Sequence, residues 1–188
     1  LPKTLEYLHI QLRSNDRPDG IVLDYLPCLR AVSIEYYHDI DLTRAFPAGL
    51  KCASVCTKQP SVEGKSKAIA MFPEILPKGL KALSIEFANF SELPPCILGS
   101  NVERLRLFFC CELSGLSSLP VNLQELDLSM CNLTNMPPAI AKLPLLQLLH
   151  LHGNQIPRQD VFNANGDRVD VAWVREPTAG LDPDWAFH

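Results

Sequence analysis

A six-residue pattern recurs along this chain and constrains its fold more than any other feature of the sequence. Each copy carries an apolar or small residue at its first, fourth and sixth positions. Successive copies begin 21 to 24 residues apart, except where one interval widens to 30 residues. The seven copies are Leu5–Ile10, Leu29–Ile34, Leu50–Val55, Leu80–Ile85, Val102–Leu107, Leu123–Leu128 and Leu146–Leu151.

The fourth and sixth positions alternate with one other residue, so both point to the same face of a short strand. The spacing is typical of leucine-rich repeats, in which each unit buries its apolar face only by stacking on its neighbours. Asn154 fits the turn position that follows the strand, and Cys131 takes that position one repeat earlier. The pattern predicts an α/β leucine-rich repeat solenoid, a horseshoe with about seven short parallel strands on its concave side and a mostly extended or 3₁₀ outer side.

The repeats are expected to occupy residues 1–157, with an insertion at residues 56–73 that accounts for the 30-residue interval. Lys58, Lys65 and Lys67 predict an exposed loop in this insertion, whereas residues 68–72 predict an apolar segment that packs on the outer side. Residues 158–188 predict a C-terminal cap and tail. The cap is expected to be a hairpin, because Asn165 and Gly166 form a preferred turn dipeptide between two apolar segments.

The amino-acid composition limits the classes of partner and the cellular compartments that are expected for this chain. Seventeen Lys and Arg against 21 Asp and Glu give a net charge of −4, which argues against general nucleic-acid binding. No apolar segment reaches the length of about 18 residues that a membrane span needs. Seven cysteines without regular pairing indicate free thiols in a reducing compartment, inside a cell or in the cytosol of a host cell. The glycosylation sequons at Asn89 and Asn132 leave secretion as the alternative.

Residues that alternate with the core positions should form ladders across the concave face if the strands stack in register. The expected middle ladder is His9, Ser33, Ser54, Ser84, Arg106, Asp127 and His150. Guanidinium, aromatic and carboxylate groups gather in the later repeats, a composition found in protein-binding hot spots. The alternative is a set of intramolecular pairs between arginines and carboxylates that only solubilises the face. The predicted partner-binding residues are Glu86, Arg104, Arg106, Phe108, Glu125, Asp127 and His150.

The sequence offers little support for catalysis. His150 and His152 have a spacing that two metal ligands could use, but no third ligand accompanies them. Cys110 and Cys111 have no adjacent histidine and are expected to pack in the repeat. The serines, histidines and aspartate of the middle ladder belong to separate strands and form no nucleophile motif. We therefore expect no enzymatic activity, no metal and no cofactor.

Three segments of the form Leu-Pro-x-x-Leu resemble the short repeats of bacterial type III effectors; they are residues 1–5, 76–80 and 119–123. For the effectors with an appended ubiquitin-ligase domain, the resemblance implies that the repeats select host targets. Residues 126–154 also resemble the repeats of plant intracellular immune receptors, with Cys131 at the turn and residues 137–140 behind it. Together the two resemblances cover residues 1 to about 157.

The sequence predicts a non-catalytic protein-recognition module that binds its partner on the concave face. Two alternatives stay open at this point. The chain could be a structural subunit of a larger assembly. It could also be the substrate-recognition domain of an enzyme, such as a ubiquitin-ligase effector, whose catalytic domain lies outside this chain.

Overall fold

The computed structural model describes residues 1–13, 20–57, 70–88, 90–113 and 116–173. In these residues, strands β1, β2, β4, β6, β7, β8, β9 and β10 form one parallel sheet in that order, and β3 and β5 form a second, two-stranded sheet. A single-turn helix and one 3₁₀ helix complete the described elements. The elements are β1 Tyr7–Gln11, β2 Ala31–Tyr36, β3 Ile40–Asp41, β4 Cys52–Thr57, β5 Ala70–Met71, β6 Ala82–Glu86, α1 Pro95–Leu98, β7 Arg104–Phe108, β8 Glu125–Asp127, a 3₁₀ helix at Ile140–Lys142, β9 Leu148–His150 and β10 Asp170–Ala172.

Each of the seven predicted repeats supplies one strand of the large sheet, and the strands pair at equivalent positions. Leu105 on β7 lies opposite Leu83 on β6 and Leu126 on β8, and the same register extends from β1 to β9. All of these pairs are parallel, and the connections contain almost no helix. The predicted leucine-rich repeat solenoid is therefore confirmed.

The repeat register stacks the apolar side chains into a continuous core. From β2 to β9, the residues at the fourth and sixth repeat positions are at most 1% exposed. Leu8 and Ile10 on β1 are only partly buried, because β2 is the one strand that pairs with β1 within the described residues. The buried rows are Val32, Ala53, Leu83, Leu105, Leu126 and Leu149, and Ile34, Val55, Ile85, Leu107, Leu128 and Leu151.

An eighth strand, β10, follows the seven repeats and was not expected from the repeat pattern. The Asp170 N–H donates to the Gln147 carbonyl at 2.8 Å, and the Leu151 N–H donates to the Ala172 carbonyl at 2.9 Å. An antiparallel bridge between Phe162 and Arg168 precedes this strand and encloses a turn at residues 163–167. The segment predicted as the second arm of a hairpin thus also adds to the parallel sheet, while residues 174–188 of the predicted tail lie outside the described residues.

The end of the insertion packs beside the second repeat. Ala70 and Met71 form β5, which pairs with β3 at Ile40 and Asp41. The Phe72 ring stacks on Phe46 with a centroid separation of 6.1 Å. The lysines predicted to be exposed, Lys58, Lys65 and Lys67, lie outside the described residues.

A left-handed residue ends the strand region in four successive repeats. Phe87, Phe109 and Met130 have φ angles of 58° to 59°, and Gly153 has a φ of 71° at the equivalent position. In the turn that follows, Asn154 donates to the Leu128 carbonyl at 2.7 Å, as expected for a turn asparagine. The turn therefore requires a backbone conformation that glycine adopts readily and other residues adopt at a cost.

We predict that replacing Gly153 with alanine lowers the free energy of unfolding by about 2 to 3 kcal/mol. The new Cβ would combine an unfavourable φ with overlap of the Met130 side chain, which already lies against this glycine. Gly166 also has a positive φ, but a Cβ there meets no atom within 4 Å, so Gly166→Ala should cost only about 1 kcal/mol. Urea denaturation of both variants measures the difference, and equal losses would contradict this packing at Gly153.

Candidate functional site

The residues that alternate with the core form the strand face, which we define as the side of the large sheet opposite the core. Its middle ladder has the predicted register: Ser84 on β6 pairs with Arg106 on β7, which pairs with Asp127 on β8 and then His150 on β9. Ala172 on β10 extends the ladder by one residue. The register thus places side chains more than 20 residues apart in sequence next to one another.

Arg106 lies at the centre of the charged part of the strand face. Its Nη1 is 3.4 Å from Glu86 Oε1, and its Nε is 3.2 Å from Asp127 Oδ2. The exposed fractions are 16% for the Arg106 side chain and 11% for each carboxylate side chain. Water screens such pairs less than it screens exposed surface pairs. We call these three residues the Arg106 network.

Other groups fix the two carboxylates of the Arg106 network. The Ser84 hydroxyl donates to Glu86 Oε1 at 3.4 Å, and the Ser129 N–H donates to Asp127 Oδ1 at 2.8 Å. Arg106 Nε is buried and its N–H makes no hydrogen bond within the described part of the chain, so its contact with Asp127 is an ion pair without hydrogen-bond alignment. Two carboxylates thus hold one guanidinium by charge, with backbone and hydroxyl donors holding the carboxylates.

Glu125 and His150 form a second pair beside this network. His150 Nε2 is 3.3 Å from Glu125 Oε1, and the two side chains are 31% and 20% exposed. The contact with Glu125 raises the pKa of His150 above its usual value of 6.5, and the nearby Asp127 carboxylate adds to the shift. Burial and the positive charge of Arg106 oppose the increase in this pKa. The pair therefore favours a protonated His150.

Three phenylalanines gather where β6 and β7 end. The Phe108 ring lies edge-on to Phe87 at 5.9 Å and 6.1 Å from Phe109, while Phe87 and Phe109 are 5.2 Å apart. The Arg106 guanidinium carbon is 4.8 Å from the Phe108 ring centroid, a cation–π contact. All three rings are half-buried. We call Phe87, Phe108 and Phe109 the aromatic cluster.

The structure brings the seven predicted partner-binding residues together on β6 to β9. Glu86, Arg106 and Asp127 form the network under Phe108, and Glu125 pairs with His150. Arg104 is half-buried on β7, opposite Ala82 and Glu125 in the ladder nearer the strand starts. The intramolecular pairs that the sequence left as an alternative do form here.

Sequence reasoning missed Phe87 and Phe109. Of the three rings, only Phe108 is among the predicted partner-binding residues. The available signal was a bulky aromatic residue at the position where the most regular repeat carries Gly153.

The cysteines contribute packing to this region. Cys131 Sγ lies 2.8 Å from the Leu107 carbonyl oxygen and Cys110 Sγ lies 3.7 Å from that of Ile85, at the turn position that Asn154 occupies in the last repeat. Burial raises the pKa of the Cys131 thiol to about 12, so it is protonated at neutral pH. All seven cysteines are free thiols.

The described residues contain neither a metal-ligand cluster nor a membrane-spanning helix. Residues 1–13, 20–57, 70–88, 90–113 and 116–173 contain no group of three or more His, Cys, Asp or Glu side chains that could hold a metal ion. No helix in the same ranges is long and apolar enough to cross a membrane.

The family model described as Leucine Rich Repeat matches residues 122–143, which run from the turn before β8 through the 3₁₀ helix. No curated protein matches the chain. The matched repeat agrees with the parallel register of the large sheet, which is that of a leucine-rich repeat solenoid. This class indicates protein–protein recognition, and its members are typically binding modules without catalytic activity.

We predict that replacing Arg106 with methionine lowers the free energy of unfolding by about 1 to 3 kcal/mol. The change keeps an unbranched apolar side chain but leaves Glu86 and Asp127 as neighbouring, largely buried carboxylates without their cation. Arg44→Met is the control, because Arg44 and Asp24 form a pair with side chains 61% and 48% exposed. Chemical denaturation should show a change within about 0.5 kcal/mol for the control, and equal effects would contradict a structural role for the network.

The raised pKa of His150 predicts a pH-dependent stability. Because the folded-state pKa exceeds the value of 6.5 for an unperturbed histidine, protonation favours the fold. This contribution is complete below pH 6.5 and is lost as the pH rises through the folded-state pKa. The unfolding free energy of the wild type should therefore fall relative to that of His150→Gln over this range. An NMR titration should also give a lower His150 pKa in Glu125→Gln, and an unchanged pKa would contradict the pairing.

Proposed function

We propose that this chain is a non-catalytic recognition module that binds a protein partner on its strand face, across β6, β7, β8 and β9. The observation that supports this site is the combination of an aromatic side chain with a fixed charge network. Arg106 contacts the Phe108 ring and two carboxylates at once, so Phe108 is held in place before any partner arrives. A preorganised anchor loses less conformational entropy on binding.

The predicted residues divide into two roles under this proposal. Glu86, Arg106 and Asp127 are largely buried and act as positioning residues. Arg104, Phe108, Glu125 and His150 are half-buried and provide the surface that a partner contacts. The intramolecular pairs and the binding surface are thus parts of one arrangement, in which the pairs orient the groups that bind.

A second candidate, a subunit of a larger assembly, is favoured by one observation. The apolar side chains of the first repeat, Leu5, Leu8, Ile10 and Leu12, are only partly buried, and β1 lies at the edge of the large sheet in the described part of the chain. Edges of this kind are templates for pairing with another chain. Sedimentation of the isolated chain tests this candidate: a concentration-independent monomer would contradict self-assembly through this edge.

Binding at the strand face can be tested with a phage-displayed random peptide library selected on the wild-type chain. We expect the affinity of the selected peptides to change at least about tenfold in Arg104→Glu, weaker for acidic peptides and tighter for basic ones, because the variant reverses a charge among the contacting residues. Arg44→Glu is the matched control, since it makes the same charge reversal in the connection between β3 and β4. Circular dichroism verifies that both variants are folded.

Selected peptides that bind both variants as tightly as the wild type would contradict the proposed surface. Peptides that lose affinity for Arg44→Glu alone would indicate a binding site on the outer side of the solenoid. A change of affinity confined to Arg104→Glu supports the strand face.

A further inference from the structure

The aromatic cluster contains two residues in a strained backbone conformation. Phe87 and Phe109 both have a φ of 58°, a region in which bulky side chains are rare. Gly153 occupies the equivalent position in the last repeat with a φ of 71°. The hydrogen bonds that hold the turn here come from the main chain. The Phe87 N–H donates to the Phe108 carbonyl, and the Phe109 N–H donates to the Ser129 carbonyl.

The two strained rings do not belong to the repeat core. Core residues of the same strands are at most 1% exposed, whereas Phe87, Phe108 and Phe109 are half-buried and in ring contact with one another. Glycine would satisfy the backbone without the strain and without an exposed aromatic surface. Strained residues of this kind cluster at binding sites, where the side chain is needed for function and not for the fold.

The strand face as a whole carries a net negative charge. The outward residues of the large sheet include five carboxylates, two guanidinium groups and His150, which leaves a net charge of −2 when His150 is protonated and the other histidines are neutral. Glu86, the residue before Phe87, lies in the same ladder as Phe108. A surface with this balance attracts a positively charged partner. The carboxylates are Glu35, Glu86, Glu125, Asp127 and Asp170, and the guanidinium groups are those of Arg104 and Arg106.

We infer that the aromatic cluster is the anchor point for a basic segment of a protein partner. An apolar side chain of that segment packs on the rings of Phe87, Phe108 and Phe109, and flanking lysine or arginine side chains face the carboxylates of the strand face. The aromatic faces themselves attract cations. This inference rests on the proposed function and adds two binding residues, Phe87 and Phe109, and the chemistry of the partner.

Two matched sets of synthetic, fluorescein-labelled peptides provide the probe. Each peptide has a central leucine or phenylalanine; in one set the flanking residues are lysine and arginine, and in the other they are glutamate and aspartate at the same positions. Fluorescence polarisation should show binding of the basic set and none of the acidic set. High salt should lower the affinity of the basic peptides, because the carboxylates supply part of the attraction.

The variant Phe109→Gly separates binding from stability. It removes one ring of the cluster and relieves the strained φ, so we expect at least about tenfold weaker binding of the basic peptides with an unchanged or higher melting temperature. Phe109→Leu keeps the strain and removes the ring, so it should lose both affinity and stability. Ile75→Gly is the control, because Ile75 is 80% exposed in the connection before β6.

The outcomes distinguish the inference from the proposed function. If acidic peptides bind instead, and Arg104→Glu weakens them, the strand face remains the site and the basic partner is wrong. If basic peptides bind Phe109→Gly as well as they bind the wild type, the cluster is not the anchor. Binding of neither set also overturns the inference. Basic peptides that lose affinity for Phe109→Gly but not for Ile75→Gly support it.

Discussion

The parallel backbone ladder is the interaction on which the rest of this structure depends. It pairs equivalent residues of successive repeats, so Leu83, Leu105 and Leu126 stack in one row and Ile85, Leu107 and Leu128 in the next. A shift of one residue would move every core side chain to the strand face. The burial of these leucines and isoleucines therefore fixes the register, and the register determines which polar side chains meet.

The strand face follows from that register. Ser84, Arg106, Asp127 and His150 are far apart in sequence, yet their strands place them side by side. Arg106 contacts one carboxylate from each neighbouring strand, Glu86 on β6 and Asp127 on β8. The same guanidinium contacts Phe108, which links the charge network to the aromatic cluster. Arg106 thus contributes both to the stability of the fold and to the proposed recognition surface.

Apolar spacing was sufficient to predict the strands, the core and the ladder order, because burial of a strand face depends mainly on alternation. It did not predict that β10, which was expected only as part of a hairpin arm, extends the parallel sheet, because this segment lacks the leucine framework of the repeats. Nor did it predict the aromatic cluster, because Phe87 and Phe109 reach Phe108 only through a left-handed turn. Alternation assigns faces within a strand and gives no information about side-chain direction in the bend that follows it.

Methyl–methyl nuclear Overhauser effects in the core test the register most directly. The account predicts cross-peaks linking Leu83 to Leu105, Leu105 to Leu126, and Leu126 to Leu149, since these residues lie opposite one another on adjacent strands. Cross-peaks that connect the core leucines to residues one position away from these partners would show a shifted register. That result would contradict both the core and the strand face, because the same ladder places the side chains of each.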